Sequence, residues 1–112
     1  MPTANSNGTP IYYETKGAGA AIVFAHGAGG NAAVWFNQVA HFSSDYKVIA
    51  FDHRGFGRTP ATGAPFTAAQ FRDDLLAILD AEEIDTAHLV GQSMGGFTIL
   101  RTALDAPDRV SS

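Results

Sequence analysis

Three short, mostly apolar runs recur along the chain, separated by longer segments of mixed polarity. They are Ala21–Ala25, Lys47–Phe51 and Ala87–Val90. Apolar runs of this length are typical of strands buried on both faces, as in a parallel sheet. A further strand is indicated at Ile11–Thr15, which is rich in β-branched and aromatic residues, and Ser6–Pro10 before it predicts a turn.

Apolar residues at helical spacing lie between these runs. Trp35, Val39 and Phe42 follow Asn31 at i, i+4 and i+7, which predicts a helix capped by Asn31. The glycine- and proline-rich segment His53–Pro65 predicts a loop.

Two more helices follow that loop. Thr67–Gln70 is a capping-box sequence, and Phe66 and Phe71 occupy the two positions of a hydrophobic staple. Gly96–Leu104 is apolar enough to form a helix on the sheet, and Pro107 ends it. Alternation of buried strands with amphipathic helices predicts an α/β fold with a mainly parallel sheet.

Composition narrows the class of protein. The 112 residues are 46% hydrophobic and 16% charged, which indicates one globular domain rather than a disordered chain. There is no cysteine, so disulfides and thiolate metal sites are excluded.

The net charge and the lengths of the apolar runs limit the kinds of partner that the chain can bind. A net charge of −4 without a basic cluster argues against nucleic acid. No signal peptide is visible, and no apolar run approaches the roughly 20 residues needed to cross a membrane, so we expect a cytoplasmic protein with no membrane partner.

No group of His, Asp or Glu has metal-ligand spacing, and neither a metal nor a cofactor is expected. The carboxylates of the later helix and loop are interpreted as solvated: Asp73, Asp74, Asp80, Glu82, Glu83 and Asp85.

The sequence Gly91–Gly95 fits G-x-S-x-G between a predicted strand and a predicted helix. In that context the serine, Ser93, lies on a sharp strained turn with its hydroxyl exposed, which suits a nucleophile. The turn is so tight that the residues two before and two after the serine must be small, as Gly91 and Gly95 are.

Acyl transfer also needs two backbone N–H donors for the oxyanion. The residue after the nucleophile, Met94, is one candidate donor. The glycine-rich segment His26–Gly30 follows the first buried strand and offers Ala28 as the second, since Gly27 and its neighbours allow a close approach of backbone to substrate.

With a third motif, Asp52–Thr59, the chain resembles the N-terminal half of an α/β-hydrolase-fold serine hydrolase of the esterase or enol-lactonase kind. Residues 1–112 would then be the N-terminal portion of one such domain, an incomplete doubly wound sheet. The resemblance implies that Ser93 is the nucleophile, that His26 has a structural role, and that the acid and the histidine come from outside this chain. It also implies the strand order 2-4-3-5, marked by Tyr12, Val48, Val23 and Leu89, with the last strand an exposed apolar edge.

This interpretation predicts a hydrolase of small acyl substrates such as esters or lactones, completed by a second chain or a C-terminal half. The 112-residue chain alone is expected to be inactive. No local histidine is a good substitute base: His26, His41, His53 and His88 all have structural or surface interpretations. An alternative is a non-catalytic hydrolase fragment or binding module.

A different chemistry also fits part of the sequence. Gly27, Gly29 and Ala32 match a dinucleotide-binding fingerprint after a strand, and Asp52 ends the next strand about 20 residues later. A dinucleotide-binding oxidoreductase fragment is therefore a remote alternative, although it leaves Gly91–Gly95 unexplained.

Overall fold

The computed structural model describes residues 2–63 and 66–112. Its strands are β1 (Thr3–Ser6), β2 (Thr9–Lys16), β3 (Ala21–Ala25), β4 (Lys47–Phe51) and β5 (Ala87–Gly91). Its α-helices are α1 (Phe36–Phe42), α2 (Ala68–Ala81) and α3 (Met94–Asp105), and 3₁₀ turns cover Ala32–Trp35 and Pro107–Arg109.

The strands form one sheet in the order β1-β2-β4-β3-β5. Strand β3 lies between β4 and β5 and pairs in parallel with both, whereas the β1–β2 and β2–β4 pairs are antiparallel. The α/β class and the predicted order of four strands are confirmed. The antiparallel β2–β4 pair makes the sheet mixed, and β1 adds a fifth strand. The predicted turn Ser6–Pro10 is shorter than expected: Asn7 and Gly8 alone form it, both with positive φ (50° and 88°), as a tight hairpin requires.

Alternate residues of the central strands face opposite layers. Val23 and Ala25 of β3 belong to a core cluster with α2, whereas Ile22 and Phe24 belong to a second cluster against α1. The sheet is therefore covered on both faces, as doubly wound topology requires. The Cα radius of gyration, 12.5 Å, is close to the roughly 13 Å expected of a compact domain of this length.

The sequence signals at the start of α2 are present in the structure. The Thr67 hydroxyl accepts the Gln70 N–H at 3.1 Å. The Phe66 and Phe71 rings stack with centroids 5.9 Å apart, as a staple should. Among the described residues, no helix is both long enough and apolar enough to span a membrane.

The other two helices differ at their starts from the prediction. The Asn31 side chain accepts the Ala33 N–H, but it caps a 3₁₀ turn, and the α-helix begins only at Phe36. Helix α3 begins at Met94, two residues before the predicted Gly96.

The predicted loop His53–Pro65 contains no helix or strand through residue 63, and its last two residues lie outside the described residues. Arg54 anchors it through a bidentate pair with Asp74 on α2 (2.7 and 3.1 Å) and a bond to the Ser6 carbonyl. The prediction that Asp74 is solvated is wrong: Asp74 is fully buried. A buried guanidinium needs such a partner because desolvating it alone is costly.

Strand β5 lies at the end of the sheet, as predicted, but part of its edge is covered. Val110–Ser112 runs parallel to it, with the Ser111 N–H donating to the Ala87 carbonyl and the Leu89 N–H to the Ser112 carbonyl. The residues after Pro107 therefore pair with the outer edge of β5.

Candidate active site

Ser93 occupies the turn between β5 and α3 with φ 53° and ψ −114°. This left-handed backbone geometry is energetically unfavourable for a residue with a Cβ, and such strain is characteristic of functional turns. The Ser93 side chain is exposed. The structure thus holds a serine in an unfavourable backbone conformation with its hydroxyl open to approach.

The glycines on either side of Ser93 are required by their surroundings. A Cβ at Gly91 would lie 2.5 Å from the Gly95 carbonyl oxygen. A Cβ at Gly95 would overlap the Ala25 carbonyl oxygen and lie 2.9 Å from that of His26. The first turn of α3 therefore rests directly on the end of β3, with no side chain between them.

The loop that follows β3 faces the turn at Ser93. A Cβ at Gly27 would lie 3.3 Å from the Gln92 carbonyl oxygen and 3.4 Å from the Ser93 Cβ, so the two segments are nearly in contact. Within the described residues, the N–H groups of Ala28 and Met94 donate to no protein acceptor. Neither amide therefore has a protein acceptor in the described part of the chain.

A cavity of about 300 Å³ lies between loop and turn. Its lining is Gly27, Ala28, Gly30, Val34, Gln92 and Ser93. Sequence reasoning missed Val34 and Gln92, the side chains that shape this cavity. The position of Gln92 beside the nucleophile was a usable signal, whereas Val34 reaches the cavity only because the 3₁₀ turn presents it, half-exposed.

Within the described residues, no histidine forms a hydrogen bond with Ser93. His26 and His53 are fully buried and bonded elsewhere. His88 bonds Ser112 near the opposite end of β5, and His41 is exposed on α1. Nor does the described part of the chain group three or more His, Asp or Glu residues as a metal site would require.

Burial sets the charge of the two inner histidines. Desolvation lowers the pKa of His53 to about 3, with a smaller contribution from His26. Desolvation also lowers the pKa of His26, outweighing the Gly27 carbonyl bond and the Asp52 charge. Both rings are therefore neutral at pH 7.

The Asp52 carboxylate accepts hydrogen bonds from nearby backbone N–H groups. One carboxylate oxygen accepts the Ala32 N–H at 2.6 Å and the other accepts the Arg58 N–H at 2.9 Å. Asp52 is 3% exposed, and a Cβ at Gly57 would overlap its carboxylate. The carboxylate is not presented to a ribose, which counts against the dinucleotide alternative.

Comparison with known proteins agrees with this geometry. The model of the alpha/beta hydrolase fold family matches residues 20–112, and the chain belongs to that family. A relative from Azorhizobium caulinodans that carries the name carbamate hydrolase RutD is 36% identical over the whole chain, which spans 42% of that relative.

Solved structures match the same portion. The structure described as Est816, an N-acyl homoserine lactone degrading enzyme, superposes with a TM-score of 0.95 at 38% identity, over 97% of this chain and 42% of its own. The enol-lactonase of Burkholderia xenovorans LB400 gives 0.92 at 34% identity, over 97% and 44%. The chain spans about two fifths of these relatives' length.

The contact of Gly95 with β3 predicts a sharp difference between neighbouring glycines. Gly95→Ala is expected to lower the free energy of unfolding by about 1–3 kcal/mol or more, because the new Cβ overlaps backbone that cannot move aside. Gly96→Ala, with nothing within 4 Å of its Cβ, should raise it by up to about 1 kcal/mol through helix propensity. Urea unfolding of both variants measures this, and equal effects would contradict the assigned contact.

The buried histidines predict a loss of stability in mild acid. A folded-state pKa below the unfolded value of about 6.5 means that the unfolded chain binds the extra proton, so stability is full above pH 6.5 and falls below it. We expect His53 to contribute a loss of about 1.4 kcal/mol per pH unit between pH 6 and 5, and His26 to add a loss in the same direction. Urea unfolding at several pH values measures how steeply the free energy of unfolding falls with pH. This dependence should be weaker in His53→Gln and unchanged in His41→Gln. A free energy of unfolding that does not change with pH in the parent chain would contradict the burial of these histidines.

Proposed function

We propose that this chain forms the nucleophile half of a serine hydrolase acting on an ester, lactone or related carbonyl compound. The observation that carries the proposal is the strained, exposed Ser93 across a cavity from a loop with a free amide. Two relatives are named for lactones and one for a carbamate, which are carbonyl compounds with a heteroatom leaving group.

In this mechanism the Ser93 hydroxyl attacks the carbonyl carbon. The negative charge that develops on the carbonyl oxygen is stabilised by the N–H groups of Ala28 and Met94. The amino-terminal end of α3 adds its positive dipole on the same side. A histidine takes the Ser93 proton and later donates it to the leaving group.

That histidine and its acid partner come from a second polypeptide segment, the C-terminal half of a hydrolase domain. The supporting observation is an apolar face on α3: Phe97, Leu100 and Leu104 are 67%, 62% and 78% exposed. Single exposed apolar residues are common, but three on one helix indicate a covered surface.

The apolar face continues into the sheet edge. A groove lined by Leu89, Ile99, Leu100, Ala103, Val110 and Ser112 joins α3 to the end of β5. Because the relatives have more than half of their length beyond the matched portion, a parallel strand and helix from that remainder are the occupant that fits.

A chimera tests the nucleophile. Residues 1–112 replace the matching portion of the N-acyl homoserine lactone degrading enzyme, which supplies the remaining strands. We expect p-nitrophenyl acetate hydrolysis and labelling by a fluorophosphonate, with Ser93→Ala lowering the rate at least about 1,000-fold. Ser44→Ala, at an exposed serine on the chain, is the matched control.

The same chimera separates the alternatives. A cooperatively melting chimera without labelling at Ser93 would contradict the hydrolase proposal and favour the non-catalytic fragment. Turnover by the isolated 112-residue chain, abolished by Ser93→Ala, would show that no outside base is needed.

The exposed apolar face of α3 and the groove beside it predict where the complementary segment binds. When residues 1–112 and the complementary segment are produced as separate chains, Leu104→Asp should weaken their association at least about tenfold, because a charge is buried in the contact. Phe36→Asp, equally exposed but on the helix of the opposite face, should leave association unchanged. Analytical ultracentrifugation measures it; equal effects, or self-association of residues 1–112 alone through α3, would overturn the assignment of this face.

A further inference from the structure

We propose that His53 is a positioning residue that holds the two oxyanion donors at their working separation. Its main chain is bonded to His26, the residue before the loop of residues 27–30 (the oxyanion loop), and its ring is bonded to Thr98 in the second turn of α3. The inference rests on the proposed function only in what the two amides bind; the geometry it assigns to His53 is independent of catalysis.

The bond to the oxyanion loop passes through His26. The His53 main-chain N–H donates to His26 Nε2 at 2.9 Å, so that nitrogen carries a lone pair. The proton of the neutral His26 ring must then be on Nδ1, which donates to the Gly27 carbonyl at 2.7 Å. One tautomer satisfies both bonds, and it fixes the orientation of the Gly27 peptide next to Ala28.

The bond to α3 passes through Thr98. Its hydroxyl donates to the Met94 carbonyl at 3.3 Å, one helical turn back, and accepts from His53 Nε2 at 2.8 Å. His53 Nδ1 is buried without a protein partner among the described residues. A proton on Nδ1 would leave a buried donor unsatisfied, so Nε2–H is the consistent tautomer.

Asp52 and His53 together hold both ends of the oxyanion loop. The Asp52 carboxylate accepts the Ala32 N–H after the loop, while the His53 N–H bonds His26 before it. The His53 ring adds a hydrogen bond from this pair to α3, the helix that begins with Met94. Amides aimed at a developing oxyanion must be placed within a few tenths of an ångström, so a link between their two segments affects rate.

Packing alone would not require a histidine here. The Phe51 and Phe71 rings lie 4.7 and 4.8 Å from the His53 ring, an environment that suits any flat apolar side chain. What distinguishes His53 is the hydrogen bond to Thr98, and Thr98→Val removes that acceptor while nearly preserving shape.

Helix α3 offers a matched control. Thr102 is buried like Thr98, and its hydroxyl also bonds the carbonyl one turn back, here that of Thr98 at 2.8 Å, but it has no bond to His53. Thr102→Val therefore reproduces the loss of a buried hydroxyl in the same helix without touching the proposed link.

The first readout is NMR of the full 112-residue chain, which reports on the histidine ring nitrogens and on the backbone amides. We expect a non-protonated Nε2 in His26 and a non-protonated Nδ1 in His53. Thr98→Val should shift the amide resonances of both Ala28 and Met94, and Thr102→Val should not shift that of Ala28. The opposite tautomers, or equal shifts from the two variants, would overturn the inference whether or not the protein is a hydrolase.

The second readout is ester hydrolysis by the chimera. Thr98→Val should lower kcat about 10- to 100-fold with KM changed less than about threefold, and Thr102→Val should leave kcat within about twofold. His53→Gln, which retains a donor, should keep more kcat than His53→Leu. Equal kcat in the two threonine variants would overturn the positioning role while leaving the Ser93 nucleophile intact, whereas absent Ser93-dependent turnover in the parent contradicts the proposed function instead.

Discussion

The contact between the first turn of α3 and the end of β3 determines the geometry of the whole site. Gly95 lies against the Ala25 carbonyl so closely that any side chain would overlap it. The turn at Ser93, which has a positive φ, lies next to Gly27. Stability is lost locally through strain and regained by the cores on both sheet faces, a pattern common at functional turns.

The second feature of the site is the dense use of the segment after β4. Asp52 and His53 bond the two ends of the oxyanion loop, and Arg54 ties the same segment to α2 and to the β1–β2 hairpin. Three consecutive polar residues are almost completely buried because each has hydrogen-bond partners. A loop without helix or strand is thereby held in place by buried hydrogen bonds.

Much of this arrangement could be predicted because it depends on local signals. The buried strands and the cap at Thr67 reflect constraints within a few positions of sequence. The small residues around Ser93 follow a short local motif, although Gly95 is required by the distant end of β3. The burial of Asp74 could not be predicted, because its partner Arg54 is 20 positions away and a helical carboxylate is normally solvated. The hairpin at Asn7 and Gly8 had a usable signal, since Asn-Gly strongly favours such turns.

The features of the site also differ in whether they could be predicted from the sequence. The motifs at Gly91–Gly95 and His26–Gly30 could be recognised in the sequence, and the structure places these two segments side by side. The roles of Val34 and Thr98 depend on which helix faces present them, which only the packed structure shows. The expectation that a histidine and an acid come from outside this chain rests on the missing base, and the exposed apolar face on α3, which no motif announces, supports it.

The most direct test of the central claim is a crystal structure of the chimera after reaction with a fluorophosphonate. We expect phosphorus bonded to Ser93 Oγ, with the phosphoryl oxygen about 3 Å from the amide nitrogens of both Ala28 and Met94. A phosphoryl oxygen directed away from these two amides, or a label on another residue, would contradict the assignment of Ser93 and its oxyanion site.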